Sequence, residues 1–172
     1  MIERPYLKIK LLNDRAFLPF KRDEDASYDL YAIYDDNEFI VLNPGDIKMM
    51  KTGIAIEIPP DWLFYIAERS STGTKGLATR CGIIDSGYRG EIFIPINNTS
   101  NKPIVFTNHK DDEKLGIFLR QNKFKEEDIT IYPRTKAIAQ GMLIYSPHVC
   151  IEKVDELSSS ERGAGALGST GK

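Results

Sequence analysis

Short runs of Ile, Val, Tyr and Phe recur along the chain, each cut off by Pro, Gly, Asn or Asp, and this rhythm constrains the fold more than any other feature. "YLKIKLL" alternates apolar and polar residues. "EFIVL", the turn "NPGD" and "IKMMKTGIAIEI" read as strand, turn, strand. "PPDWLFYIAER", "GEIFIPINN", "KPIVFT", "DITIYP" and "MLIYSPHVCIEKV" continue the series. Branched and aromatic residues favour strands, and the punctuating residues favour turns. Such spacing predicts an all-β barrel or sandwich and argues against βαβ units. Only "KDDEKLGIFLRQNKFKEED", residues 110–128, has helical character, and its charge suits a surface excursion between strands.

The 172 residues make one ordinary domain with room for a sizeable core. A composition 41% hydrophobic and 28% charged is that of a soluble globular chain. The net charge of −2 carries no broad signal for nucleic acid or membrane, and neither is expected as a partner. No apolar run approaches the roughly 20 residues of a membrane span. The start, "MIERPYLKIK", lacks the apolar core of a signal peptide, so a cytoplasmic protein is expected. Cys81 and Cys150 fit no metal spacing and read as buried free thiols. From about Leu157 the chain becomes a low-complexity tail, "SSSERGAGALGSTGK" from Ser158, which cannot bury itself.

Four segments carry candidate chemistry. In "GIIDSGYRGEI", Asp85 follows Ile83 and Ile84 and precedes a glycine-rich turn. It reads as a partly desolvated general base or as an Asp that holds a turn. In "ERSSTGTKGL", Arg69 and the amides after it offer an anion nest, or simply a polar turn. The Walker A spacing is absent. In "DASYDLYA", Asp29 is a turn residue or an outer-shell partner of a hydrated cation. In "KAIAQGMLIY", Gln140 is a polar residue inside an apolar strand, either satisfied locally or aimed at a ligand.

Each signal is weak alone, but "YDLYA", "RSS", "GIIDSGYRGE", "IAQ" and "RGAGALGSTG" occur in this order. With these five motifs the chain, from about Asp25 to its end, resembles the trimeric dUTPase family. The resemblance implies a jelly-roll-like distorted β-barrel that assembles as a homotrimer, with each active site built from all three chains. It implies Mg²⁺-dependent hydrolysis of dUTP to dUMP and pyrophosphate by water attack on the α-phosphorus, which limits uracil in DNA and supplies dUMP. Asp85 matches the residue that activates the water. Arg69, Ser70, Ser71 and Gln140 match phosphate-facing positions. Tyr88 matches the ring under the deoxyribose that rejects a 2′-hydroxyl. Residues 79–84, with Thr79, Gly82 and Ile84, match the hairpin whose backbone reads uracil. Mg²⁺ is expected on the phosphates and waters, with no direct protein ligand and with Asp29 in its outer shell. In the tail, Arg162, Gly168, Ser169 and Thr170 match phosphate contacts, and Leu167 stands where the family's Phe covers the base.

The chain departs from the family pattern in several places. Gly87 replaces the second Asp of the usual I-D-x-D-Y, Ser27 replaces a glycine, and Thr79 stands where many bacterial members have Asn. Between "PINN" and "KAIAQ" the chain is longer than a minimal member. The expected organisation is a domain over residues 1–156 with an insertion at about 104–128, and an arm over 157–172 that closes over a neighbouring site. The insertion reads as a solvated loop or as a contact for a protein partner, the latter making the chain a regulatory module as well. A dCTP deaminase of the same fold is the alternative enzyme, although no glutamate base stands out near the hairpin.

Overall fold

The computed structural model describes residues 5–109 and 112–165. Its strands form three sheets around one core. The first has the order β1 (Lys8–Leu11), β4 (Ile47–Glu57), β8 (Glu91–Asn98), β6 (Leu77–Thr79). The second is β10 (Thr130–Tyr132), β9 (Ile104–Phe106), β3 (Ile40–Leu42), and the third is β2 (Tyr28–Leu30), β11 (Ala139–Tyr145), β5 (Trp62–Ala67), β7 (Ile83–Ile84). Two helices interrupt the strands, α1 (Ser70–Gly73) and α2 (Glu113–Asn122), with a 3-10 turn at Glu126–Asp128. The all-β, jelly-roll-like expectation holds. The hydrogen-bond ladders, however, form three separate sheets and not one closed barrel.

The period-2 rule places the core. Ile92, Ile94 and Ile96 on β8 are completely buried, and Ile54, Ile56, Phe64 and Ile66 meet them from β4 and β5. Burying each such side chain contributes about 1.5–3 kcal/mol. Between Lys51 and Ala55 the β4–β8 register slips. Gly53 takes φ +68 there, and a Cβ would lie 2.8 Å from both Ala16 Cβ and Ile33 Cδ1. Its amide, released from the ladder, donates to the Glu91 carboxylate at 2.9 Å.

Three expectations are corrected. The segment 104–128 does not begin as an excursion. Ile104, Val105 and Phe106 are buried in β9, which pairs with β3 on one side and with β10 on the other. The excursion starts after them, and its helical part is α2, capped by the Asp112 carboxylate, which accepts from the Lys114 and Leu115 amides. The run "MLIYSPHVCIEKV" is strand only to Tyr145. Beyond it, among the described residues, the chain forms no strand, and Val149 and Ile151 are 74% and 97% exposed. Cys150 is also exposed and not buried, whereas burial pushes the half-covered Cys81 thiol up to about 11.

Candidate active site

Strand order assembles the first cluster. β11 runs between β2 and β5, so Gln140 sits opposite Asp29 on one side and Ala67 on the other. Glu68 and Arg69 leave β5 at that level, and Ser70 opens the single turn of α1. Buried Thr72 fixes this corner, because its hydroxyl donates to the Arg69 carbonyl at 2.7 Å. The Thr72 and Gly73 amides donate to the same oxygen. Ser70 and Ser71 remain exposed, with no side-chain bond among the described residues. Together with Ser27 and the turn 20–26, these residues line a polar cavity of about 400 Å³.

Arg69 is held from several directions. Its Nε lies 2.9 Å from Asp29 Oδ1 and its Nη2 3.4 Å from Oδ2, a bidentate pair. Its Nη1 donates to the Ala137 carbonyl at 3.0 Å, which also accepts from the Tyr132 hydroxyl at 2.7 Å. Burial pushes Tyr132 up to about 12, with Arg69 pulling the other way, so that hydroxyl stays a donor. Asp29, expected as a turn residue or beside a hydrated cation, is thus first of all the partner that aims Arg69. Gln140 is equally constrained: its oxygen accepts from Ser27 Oγ at 2.8 Å and its amide donates to the Glu68 carbonyl at 2.9 Å.

The second cluster lies in a different cavity of about 310 Å³. Ile84, Asp85, Tyr88 and Glu91 line it, with Met49, Ile92 and Phe93 giving it apolar walls. The Asp85 carbonyl accepts from the Tyr88 amide at 3.0 Å, closing the turn after β7. The Tyr88 hydroxyl folds back onto the Glu91 carbonyl at 2.9 Å. Gly90 permits this, since a Cβ there would sit 2.5 Å from that hydroxyl. Asp85 is exposed, without the partial desolvation that one of its two readings carried: β7 spans two residues and Ile83 beside it is 62% exposed.

Residues 79–84 do not pair with themselves as a hairpin. β6 ends at Thr79 on β8, β7 pairs with β5, and 80–82 cross between the two sheets. The Gly82 carbonyl accepts from Ile66 at 2.7 Å, and Thr79 Oγ1 is buried without a partner among the described residues. Arg162 joins neither cluster and donates to its own neighbour's carbonyl at Gly165. Leu167, Gly168, Ser169 and Thr170 lie outside the described residues.

Several participants escaped the sequence reading. Ser27 entered only as a replacement for a glycine, yet its hydroxyl holds the Gln140 oxygen. Phe93 brings an aromatic wall to the Asp85 cavity, signalled only by its outward place in the alternation of β8. Lys21 and Arg22 reach the polar cavity from a turn that precedes the first motif.

A family model described as dUTPase matches residues 14–111. A deoxyuridine 5′-triphosphate nucleotidohydrolase of Clostridioides difficile is 38% identical over 96% of this chain and 97% of the relative. One from Nautilia profundicola is 35% identical over 96% of this chain and 99% of the relative. Among solved structures, a Staphylococcus bacteriophage 80alpha dUTPase with dUPNHPP is 28% identical, covering 97% of this chain and 99% of its own, at a TM-score of 0.71.

Proposed function

The chain belongs to the dUTPase family, and from that premise we propose that it hydrolyses dUTP to dUMP and pyrophosphate across half-sites that meet between copies. One observation carries this reading. The anion-binding set (Arg69, Ser70, Ser71 and Gln140) and the candidate base Asp85 line two different cavities of one chain. A homotrimer, the assembly the family implies, brings the polar cavity of one copy to the Asp85 cavity of another.

In this arrangement the base enters the Asp85 cavity, against Ile84 and Phe93, with Tyr88 under the sugar. Backbone groups around Thr79 and Gly82 read the base edge. Asp85 takes a proton from water as the water attacks the α-phosphorus. The bond from that phosphorus to the bridging oxygen breaks, and pyrophosphate leaves with the electron pair. Arg69, aimed by Asp29, and the free hydroxyls of Ser70 and Ser71 hold the departing phosphates. The carboxylates lining the polar cavity are Asp25 and Asp29. Two are too few for an all-protein cage but suit a hard cation that keeps its waters and takes phosphate oxygens. Mg²⁺ bound in that way would neutralise charge on the phosphate chain, with Asp29 facing its waters. The arm 157–172 closes over a neighbouring site, where Arg162, Gly168, Ser169 and Thr170 meet phosphates and Leu167 covers the base. The place of action that goes with this nucleotide chemistry is the cytoplasm. Among the described residues no helix is long and apolar enough to cross a membrane.

Pyrophosphate release with Mg²⁺ from dUTP, dTTP, dCTP and UTP tests the reading. Turnover of dUTP at least a hundredfold above the others is expected. Ammonia from dCTP, with no pyrophosphate from dUTP, would replace it with the deaminase alternative.

A further inference from the structure

The polar cavity contains a cation that none of the motifs accounts for. Of its two guanidinium groups, that of Arg69 is already engaged by both Asp29 oxygens and the Ala137 carbonyl. Arg22, exposed at the rim, has no side-chain partner among the described residues. Its backbone is nevertheless fixed. Its amide donates to Asp25 Oδ2 and its carbonyl accepts from the Asp25 amide, both at 3.1 Å. Lys21 Nζ closes the same turn onto the Arg22 and Asp25 carbonyls, and lies 5.5 Å from the centroid of the Tyr28 ring. The Asp29 amide ties the turn to Phe20 at 2.7 Å. The turn thus holds its shape without the Arg22 side chain, which lines the same cavity as Ser70 and Ser71 and has no partner among the described residues.

A planar, permanently charged fork in that position suits phosphate oxygens. The attacked α-phosphorus must lie near Asp85, in the other cavity, so the part of the substrate beyond it extends into the polar one. We infer that Arg22 is a binding residue for the β- and γ-phosphates of dUTP and for the pyrophosphate product, supplied by the turn ahead of the first motif. This rests on the dUTP-hydrolase reading, but its test does not depend on turnover alone.

Wild type, Arg22→Ala and Arg22→Lys are compared in three measurements: KM for dUTP, inhibition by dUMP, and calorimetric binding of inorganic pyrophosphate without catalysis. Loss of one charged hydrogen-bonding group predicts that Arg22→Ala weakens KM and pyrophosphate binding about tenfold. The dUMP inhibition constant should move less than twofold, since dUMP carries no phosphate into this cavity. Arg22→Lys, which keeps the charge and loses the fork, should recover part of both losses. Unchanged pyrophosphate affinity in Arg22→Ala would overturn the inference. So would a parallel weakening of dUMP, which would mark a collapsed turn. A wild type that binds pyrophosphate through Arg22 yet releases none from dUTP would sink the proposed reaction and leave the binding role standing.

Discussion

Gly141 follows Gln140 on β11, and a Cβ there would collide with Cζ and Cε1 of Phe64, itself 1% exposed. The glycine lets the Phe64 ring approach the backbone of the strand that carries Gln140. Gly141→Ala should therefore cost roughly 1–3 kcal/mol by overpacking, read as a lower denaturant midpoint at an unchanged slope. An unaltered midpoint would mean that Phe64 yields without cost. At this scale the motif residues were legible where function needs a side-chain type, as at Asp85 and Arg69. Their partners were not. Asp29 reaches Arg69, and Ser27 reaches Gln140, only because β11 separates β2 from β5, and no local pattern encodes that order. The exposure of Asp85 was hidden for a related reason: two isoleucines before it imply burial, but β7 sits at a sheet edge.

The elements were easiest to read where alternation is long. β4, β5 and β8 follow the pattern of their sequence, whereas β2, β6 and β7 are two or three residues each and show no period. The segment 104–128 was misdivided although "KPIVFT" already read as a strand: a boundary drawn from extra chain length cannot see that Ile104–Phe106 pair with β3 and β10 and are buried. α2 is anchored by side chains it does not itself supply. Phe39 stacks on Phe118 at 4.3 Å and on His109 at 5.6 Å between ring centroids, and Asn37 accepts from Lys114 at 2.6 Å. None of these residues lines either cavity. Replacing residues 112–124 by a six-residue Gly-Ser linker should leave a folded chain whose pyrophosphate release stays within about threefold of wild type. A deletion that starts at Ile104 should give no soluble folded protein, because it removes β9 from the core. Equal behaviour of the two deletions, seen by circular dichroism and by the release assay, would contradict the corrected boundary.

For the whole molecule, the division of the site between two cavities makes a prediction about mixtures. Asp85→Asn and Arg69→Ala chains should each be inactive alone, by a factor of about 10²–10⁴ for the lost base. Unfolded together and refolded as mixed assemblies, they should recover measurable dUTP turnover, because some sites then draw Asp85 from one chain and Arg69 from another. If both groups of a working site came from one chain, the mixture would stay as inactive as its parts. The sequence could not display this division: a motif string records residue types in order and is silent on which of them share a cavity. The crossover that joins β9 to its parallel partner β10 has a use of its own. That pair is in register with Ile104 opposite Thr130, and its parallel pairing requires a long connection. A reporter peptide spliced between Asn122 and Glu126 would lengthen this connection at a cost that grows only logarithmically with its length. That makes the back of α2 a place to attach a fluorophore or tether the protein to a surface while both cavities stay open.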